Sequence, residues 1–412
     1  MIRPLLTIPL TALLAIPAVP AAAAPKPAQQ AKTGAEVPCP HPRIAKPSAP
    51  PRPVPPADNP RDMAVGGPDL ATHGLVVPPG ATTPPAVTAT TWIVADLDTG
   101  EVLGACGPHV YQTPASVQKT LLAATAMDRL DPKQNVKIVQ SDLDIEANSS
   151  AVGIVVGGTY PVATLWLGLL LNSGNDAANA LARMAGGGGA DGVATTVAAM
   201  NAKARELGAF QTHAVTPSGL DGKGQFTSAY DLALIARSDF AKADFRKYVL
   251  TRSAQMPAQR SPRVGGFQFQ NENKLIYNYP GAMGGKTGFT TVARHSYVGA
   301  AQRNGRRLVV TLLGAEAHPL RGWQQGAALL DWGFAQPAGA SVGHLVTPAE
   351  AAALTATPEK ASAGVSGTAA KPVVKSHSRS LIVAGTGAVV LAALPLTLLA
   401  IHRGRRRRFR KP

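Results

Sequence analysis

The 412-residue chain carries 40 basic and 24 acidic side chains, a formal net charge of +16, with 45% hydrophobic residues, 36 prolines and two cysteines. Seven of the positive charges lie between Arg403 and Lys411, and the interior has no basic helix or aromatic-interleaved basic stripe, which argues against a nucleic-acid partner. Two cysteines and scattered histidines give no metal-ligand spacing, and no motif calls for a cofactor.

In chain order, Met1-Ile2-Arg3 precedes an apolar run from Pro4 to Val19 and small residues at Ala21 to Ala24. This predicts a secretory signal peptide over residues 1–24, with a disordered Ala/Pro-rich start as the plainer reading. Residues 25–89 are rich in Pro, Ala, Thr and Gly and include Pro50-Pro51-Arg52-Pro53. Such a stretch buries too little apolar surface to fold alone and reads as an extended extracytoplasmic arm. In an exported chain a disulfide between Cys39 and Cys106 is permitted, and it would pin that arm to the first hairpin. Free thiols are the other reading, because sequence does not show proximity.

Residues 90–334 have the length of one substantial domain. Thr91–Asp96 and Glu101–Ala105 flank Asp98-Thr99-Gly100 as a hairpin, with Asp96 and Asp98 as turn and edge residues. Thr113-Pro114-Ala115-Ser116 opens an apolar helix from Leu121 to Leu130. Further helices are predicted over Pro161–Leu170, Asp176–Met184, Val193–Leu207 and Ser228–Ser238. Strands follow around Ser296–Gln302 and Arg306–Leu313, then a helix near Trp323–Trp332. Trp92, Trp166, Trp323 and Trp332 read as packing residues. The order implies a sheet built from both ends of the domain with a helical region beside it.

Residues 335–380 read as a flexible spacer. Leu381–Ile401 is free of charge and long enough for a transmembrane helix, and residues 402–412 form a basic tail expected to stay cytoplasmic. The expected protein is a single-pass membrane protein with its domain outside the cell membrane.

Three short elements can form one nucleophilic site. Ser116 and Lys119 stand at i and i+3, which places both on one helix face. A lysine that is buried and near another cation loses its proton readily and can then activate the hydroxyl. Read alone, the same spacing describes a helix start with Lys119 in solvent. Asn172-Ser173-Gly174-Asn175 breaks two helices: Ser173 can relay a proton and Asn175 can donate to a substrate carbonyl, or the pair can simply cap a turn. Lys286-Thr287-Gly288, bordered by Gly284 and Gly285, offers a carboxylate receptor on an extended strand. The backbone N–H groups of Ser116 and Phe289 can hold an oxyanion. The triplet alone is weak, since Lys32-Thr33-Gly34 repeats it in the arm. Nor is it a phosphate loop, whose first glycine would fall at Pro280.

With Ser116-Val117-Gln118-Lys119, Ser173-Gly174-Asn175 and Lys286-Thr287-Gly288 placed, residues 90–334 resemble the serine-type D-alanyl-D-alanine carboxypeptidases, low-molecular-weight penicillin-binding proteins. Leu171–Ala177, Thr216–Asp221 with Gly224-Gln225, and Lys286–Thr290 strengthen the likeness. The resemblance implies an α+β fold of the β-lactamase and penicillin-binding type, an antiparallel sheet flanked by helices with a helical subdomain. It also implies hydrolysis of the terminal D-Ala-D-Ala bond of peptidoglycan stem peptides. Ser116 would be acylated, Lys119 would be the base, Ser173 would assist, and Asn175, Lys286, Thr287 and Gly288 would bind substrate. β-Lactams would trap the same serine.

Gly174 stands where class A β-lactamases usually carry Asp, and no Glu-x-x-x-Asn segment supplies their deacylating glutamate, so efficient β-lactam hydrolysis is not expected. The alanine- and proline-rich ends look actinobacterial. Arg294 and His295 either assist carboxylate recognition or serve the strand edge. Two other readings use the same residues: an endopeptidase cutting peptidoglycan crosslinks, and a catalytically silent wall-binding scaffold.

Overall fold

The computed structural model describes residues 36–45, 48 and 50–356. Strands β1 (Leu75–Val76), β2 (Thr91–Asp96) and β3 (Glu101–Cys106) come first. Two short antiparallel pairs follow, β4 (Asn135–Lys137) with β5 (Thr159–Pro161), and β6 (Ser253–Met256) with β7 (Phe267–Gln270). Then come β8 (Ala282–Thr290), β9 (Arg294–Arg303), β10 (Arg306–Ala315) and β11 (Gly343–His344). The main sheet runs β1-β3-β2-β10-β9-β8, with β11 also on β3, and each described pairing in it is antiparallel. Strand β10 joins the two halves, with Val310 opposite Val94 on one side and Gly299 on the other.

The helices are α1 (Pro60–Met63), α2 (Lys119–Ala126), α3 (Val162–Leu171), α4 (Asn175–Ala185) and α5 (Gly192–Glu206). They continue with α6 (Ala229–Ala241), α7 (Ala243–Leu250), α8 (Leu275–Asn278), α9 (Gly322–Ala335) and α10 (Pro348–Ala356). Side-chain alternation divides them about the sheet. Trp92, Val94, Leu308, Val310 and Leu312 pack with Leu329, Leu330 and Trp332 of α9. Ile93, Ala95, Val309 and Leu313 turn the other way, into a core shared with α2, α4 and α6. Every residue of α2 is buried, and α3 buries most of its length, so both read as continuous apolar runs rather than amphipathic ones.

The expected arm and spacer need correction where they are described. Leu70, Val87 and Ala89 are buried in the body, β1 pairs with β3, and Leu75 N–H donates to Val37 O at 2.7 Å. Cys39 and Cys106 are disulfide-bonded, with Cα atoms 5.9 Å apart. Beyond residue 334, β11 joins the sheet, Leu345 and Ala351 are buried, and Tyr230 Oη donates to His344 O at 2.8 Å. Isolated apolar residues among prolines cannot make a core of their own, but each can cover an existing one. Composition alone does not register that. The signal peptide, Leu381–Ile401 and the basic tail lie outside the described residues. Among the described residues no helix is long and apolar enough to cross a membrane.

Candidate active site

Ser116 lies in the 3-10 turn Ala115–Gln118 that leads into α2, and Ala115 before it adopts φ 51°. A left-handed non-glycine residue is strained and persists only when its surroundings enforce it. Here Gly219, at φ 84°, packs directly on the Ala115 carbonyl where a Cβ would collide with it. Ser296 Oγ donates to Pro114 O at 2.7 Å, tying the same turn to β9.

Lys119 is fully buried, and its Nζ lies 2.8 Å from Ser116 Oγ, 2.7 Å from Asn175 Oδ1 and 2.8 Å from Ser218 O. Burial, and after it the charge of Lys286, hold its pKa well below the ordinary lysine value, against the opposing pull of Asp176 and Glu272. A neutral amine has two N–H groups and one lone pair. Asn175 Oδ1 and Ser218 O accept but cannot donate, so they take both N–H groups and leave the lone pair for the Ser116 hydroxyl.

Lys286 on β8 is also buried, donates to Thr287 O at 2.6 Å, and is lowered to about 8 by burial, with Glu272 opposing. It therefore stands inside the site as Lys119's neighbouring charge rather than out in an open cleft. β8 is the sheet's edge strand on this side, and it crosses the Ser116 turn closely. A Cβ on Gly288 would stand 2.9 Å from Ser116 N and 3.0 Å from Val117 N. Phe289 follows, half exposed, with its ring 4.6 Å from that of His295.

Ser173 occupies the turn between α3 and α4 at φ 62°, only 4% exposed, with no described residue hydrogen-bonded to its hydroxyl. One residue on from Asn175, Asp176 fixes the turn from below. Its carboxylate accepts from Val152 N at 2.9 Å, Gly153 N at 2.8 Å and Ile154 N at 3.2 Å.

The peptidase S11 family, described as D-alanyl-D-alanine carboxypeptidase, matches residues 79–317. The D-alanyl-D-alanine carboxypeptidase DacB2 of Mycobacterium tuberculosis is 46% identical over 275 residues, 66% of this chain and 90% of that protein. The chain belongs to the D-alanyl-D-alanine carboxypeptidase family. A crystal structure of a D-alanyl-D-alanine carboxypeptidase from Mycobacterium tuberculosis H37Rv superposes with TM-score 0.61 at 45% identity, covering 66% of this chain and 100% of that one. The DD-transpeptidase of Streptomyces K15 superposes at 0.59 with 28% identity, covering 62% of this chain and 100% of that one. The fold is that of the penicillin-binding DD-peptidases, with the antiparallel sheet flanked by helices as the motifs implied.

Asn175 holds Lys119 through Oδ1, and its Nδ2, the group that can donate to a substrate carbonyl, is not used in that contact. Arg294, offered as a carboxylate aid, is engaged by Glu316 at 2.9 and 2.6 Å, and its guanidinium carbon sits 5.7 Å from the Phe289 ring centre. His295 is lowered by burial, opposed by Glu316 and reinforced by Arg294 and Arg321.

Other groups at the site had no role assigned from the sequence, although Ser218 lies in the Thr216–Asp221 stretch that strengthened the likeness. Ser218 contributes only a carbonyl, placed by a side-chain knot. Gln118 Nε2 donates to Thr216 O at 2.6 Å and Gln225 Oε1 at 2.9 Å, and Gln225 Oε1 also accepts from Thr216 N at 3.1 Å. Glu272, whose N–H donates to Leu171 O at 3.0 Å, opposes from a separate loop the lowering that burial imposes on both lysines.

Proposed function

We propose that this carboxypeptidase, which hydrolyses the terminal D-alanyl-D-alanine bond of peptidoglycan stem peptides, does so through Ser116 as nucleophile and neutral Lys119 as its base. The observation that carries this reading is the 2.8 Å contact from a buried lysine to the serine hydroxyl, with two pure acceptors taking the lysine's own protons. The Ser116 oxygen attacks the penultimate D-alanine carbonyl as its proton passes to Lys119 Nζ. Ser116 and Phe289 N–H groups hold the oxyanion. The C–N bond then breaks, and the proton reaches the departing amine through Ser173, whose hydroxyl has no hydrogen-bond partner among the described residues and so suits a relay. Water cleaves the ester and returns Ser116.

Lys286 and Thr287 hold the substrate's terminal carboxylate electrostatically, while Gly288 lets the peptide and β8 approach the Ser116 turn. β-Lactams present the same carbonyl and carboxylate and acylate the same serine. We further propose that residues 1–24 direct export and that Leu381–Ile401 with its basic tail anchors the enzyme, leaving residues 36–356 outside the membrane.

The direct test incubates the exported chain with a stem pentapeptide and measures released D-alanine. Ser116→Ala should abolish both release and labelling by a fluorescent penicillin. Lys119→Ala should slow acylation by at least about 10², the lower range for a positioned proton-transfer group. Labelling that survives in Ser116→Ala removes that residue from the role, and unchanged acylation in Lys119→Ala removes the base.

A further inference from the structure

The β6–β7 hairpin has two unlike faces. Its register sets Ala254 opposite Phe269 and Met256 opposite Phe267, alternating with Ser253 opposite Gln270 and Gln255 opposite Gln268. Met256 and Phe269 are buried, and a Cβ on Gly153 would meet the Phe267 ring at 3.4 Å, so the first face closes on the body. All four residues of the second face are exposed. Gln268 Nε2 donates to Ser253 Oγ at 3.3 Å, and none of the four side chains bonds to a described residue outside the hairpin. This polar face is framed by cations. Between Asp244 and Glu272 the chain carries Arg246, Lys247, Arg252, Arg260 and Arg263 and no acidic residue. Arg260 and Arg263 stand in the loop at the tip, and Arg252 stands at the base. There Arg252 and Lys274 both lie over the exposed Tyr277 ring, 5.5 and 5.1 Å from its centre. Arg252, Arg260, Arg263 and Lys274 are exposed and have no ion pair among the described residues, whereas Arg303, Arg306 and Arg307 each have one.

The base of the hairpin borders the site. Asn271 N donates to Arg252 O at 2.8 Å, and Asn271 Nδ2 donates to Val249 O and Thr251 O, both at 3.0 Å. The next residue, Glu272, bonds to Leu171 O, two residues before Ser173. An occupant of this face must therefore be anionic, rich in amides and hydroxyls, and present where a stem peptide enters the cleft. The polymer that bears the stem peptides meets all three conditions. Its neighbouring stems carry carboxylates, which suit arginine, and its sugars and peptide bonds match serine and glutamine side chains. A bilayer would need apolar side chains on the solvent face, and Ser253, Gln255, Gln268 and Gln270 supply none.

We propose that the solvent face of the β6–β7 hairpin, with Arg252, Lys274 and the arginines of its tip, is a second binding surface for peptidoglycan. It holds an adjoining, uncleaved part of the same strand while one stem peptide occupies the cleft. The inference rests on the carboxypeptidase reading above and adds to it a preference for polymeric over free stem peptide. No residue of this surface touches the reacting atoms.

The test measures D-alanine release by the exported chain from two substrates, counted per stem: a soluble glycan fragment bearing several uncrosslinked stem pentapeptides, and the single stem pentapeptide. The wild type should favour the fragment in kcat/KM by about tenfold or more, because a second linked contact raises the effective concentration at the first. That preference should shrink as salt screens the charge contacts. Arg252→Glu combined with Arg260→Glu should remove it while leaving release from the single peptide and acylation by penicillin unchanged. Should that pair fail to fold, Arg263→Glu alone must weaken the preference. A wild type that treats both substrates equally, or folded variants that keep the preference, overturns the second surface alone. So does a charge reversal that slows both substrates equally, which would place these residues in the cleft. If the preference survives while the reversal weakens binding to vesicles of anionic lipid, the face serves a bilayer and the polymer proposal falls. Absence of D-alanine release from either substrate overturns the carboxypeptidase reading instead.

Discussion

A methyl group at position 288 has no free space, and Gly288→Ala therefore measures how closely β8 must cross the nucleophile. The added Cβ would stand 2.9 Å from Ser116 N and 3.0 Å from Val117 N, where ordinary contact begins at 3.4 Å, and it would press harder still on Ser296 Oγ. Ser296 cannot simply swing aside, because its hydroxyl is committed to Pro114 O at 2.7 Å. Gly288 is not in the left-handed region, so alanine is permitted by the backbone and the effect is purely steric. Relief of the two turn contacts alone requires the strand and the turn to part by about 0.5 Å. Since about 1 Å of misplacement can cost 10²-fold, a loss of at least about tenfold in acylation is expected. The oxyanion donors would move apart while the Lys119–Ser116 pair stays on one turn, so kcat and kcat/KM should fall together. Stopped-flow acylation by a fluorescent penicillin, with D-alanine release and a thermal melt alongside, reads this directly. Wild-type acylation in a folded Gly288→Ala variant would refute the close crossing of β8 and Ser116.

Other expectations follow from the same geometry. Lys286 is lowered to about 8 by burial, so kcat/KM should decline as pH rises through that value and its hold on the substrate carboxylate is lost. Lys286→Arg should abolish that limb, and a limb that persists assigns it elsewhere. For stability the sign is opposite. Between about 8 and the unfolded lysine value of about 10.4 the unfolded chain binds more protons, so denaturant resistance gains from this group as pH climbs through that window. Asp176→Ala strips the acceptor from three loop amides and should cost at least about 2 kcal/mol in urea unfolding, with slowed acylation as Asn175 loosens. Cys39→Ser opens a crosslink between residues 67 apart and should cost up to about 4 kcal/mol. An unchanged melt in that variant would mean the N-terminal segment holds without it.

Much of the domain was legible in the residues because period and punctuation are local properties. The continuous apolar stretches in Thr91–Asp96 and Arg306–Leu313 marked strands, which the fold covers on both faces, and the apolar runs of α2 and α3 marked buried helices. The β6–β7 hairpin and α7 lacked such contrast and were not foreseen. The segments before residue 90 and after residue 334 were misjudged as free because their burial depends on a surface made by other parts of the chain.

The site divides along the same line. Residue types and their three-residue spacings named Ser116, Lys119, Ser173, Asn175, Lys286 and Thr287, because side-chain chemistry is carried by identity. Which of them meet was decided only by folding. The stretch around Ser218 was visible in the chain but its carbonyl's contact with Lys119 was not, and neither were the carboxylate at Glu272 and the engagement of Arg294 by Glu316, since each arises where distant segments touch. Sequence determined which groups can ionise or attack. Tertiary structure decided their protonation and partners, because burial and neighbouring charge exist only once the chain has closed around them.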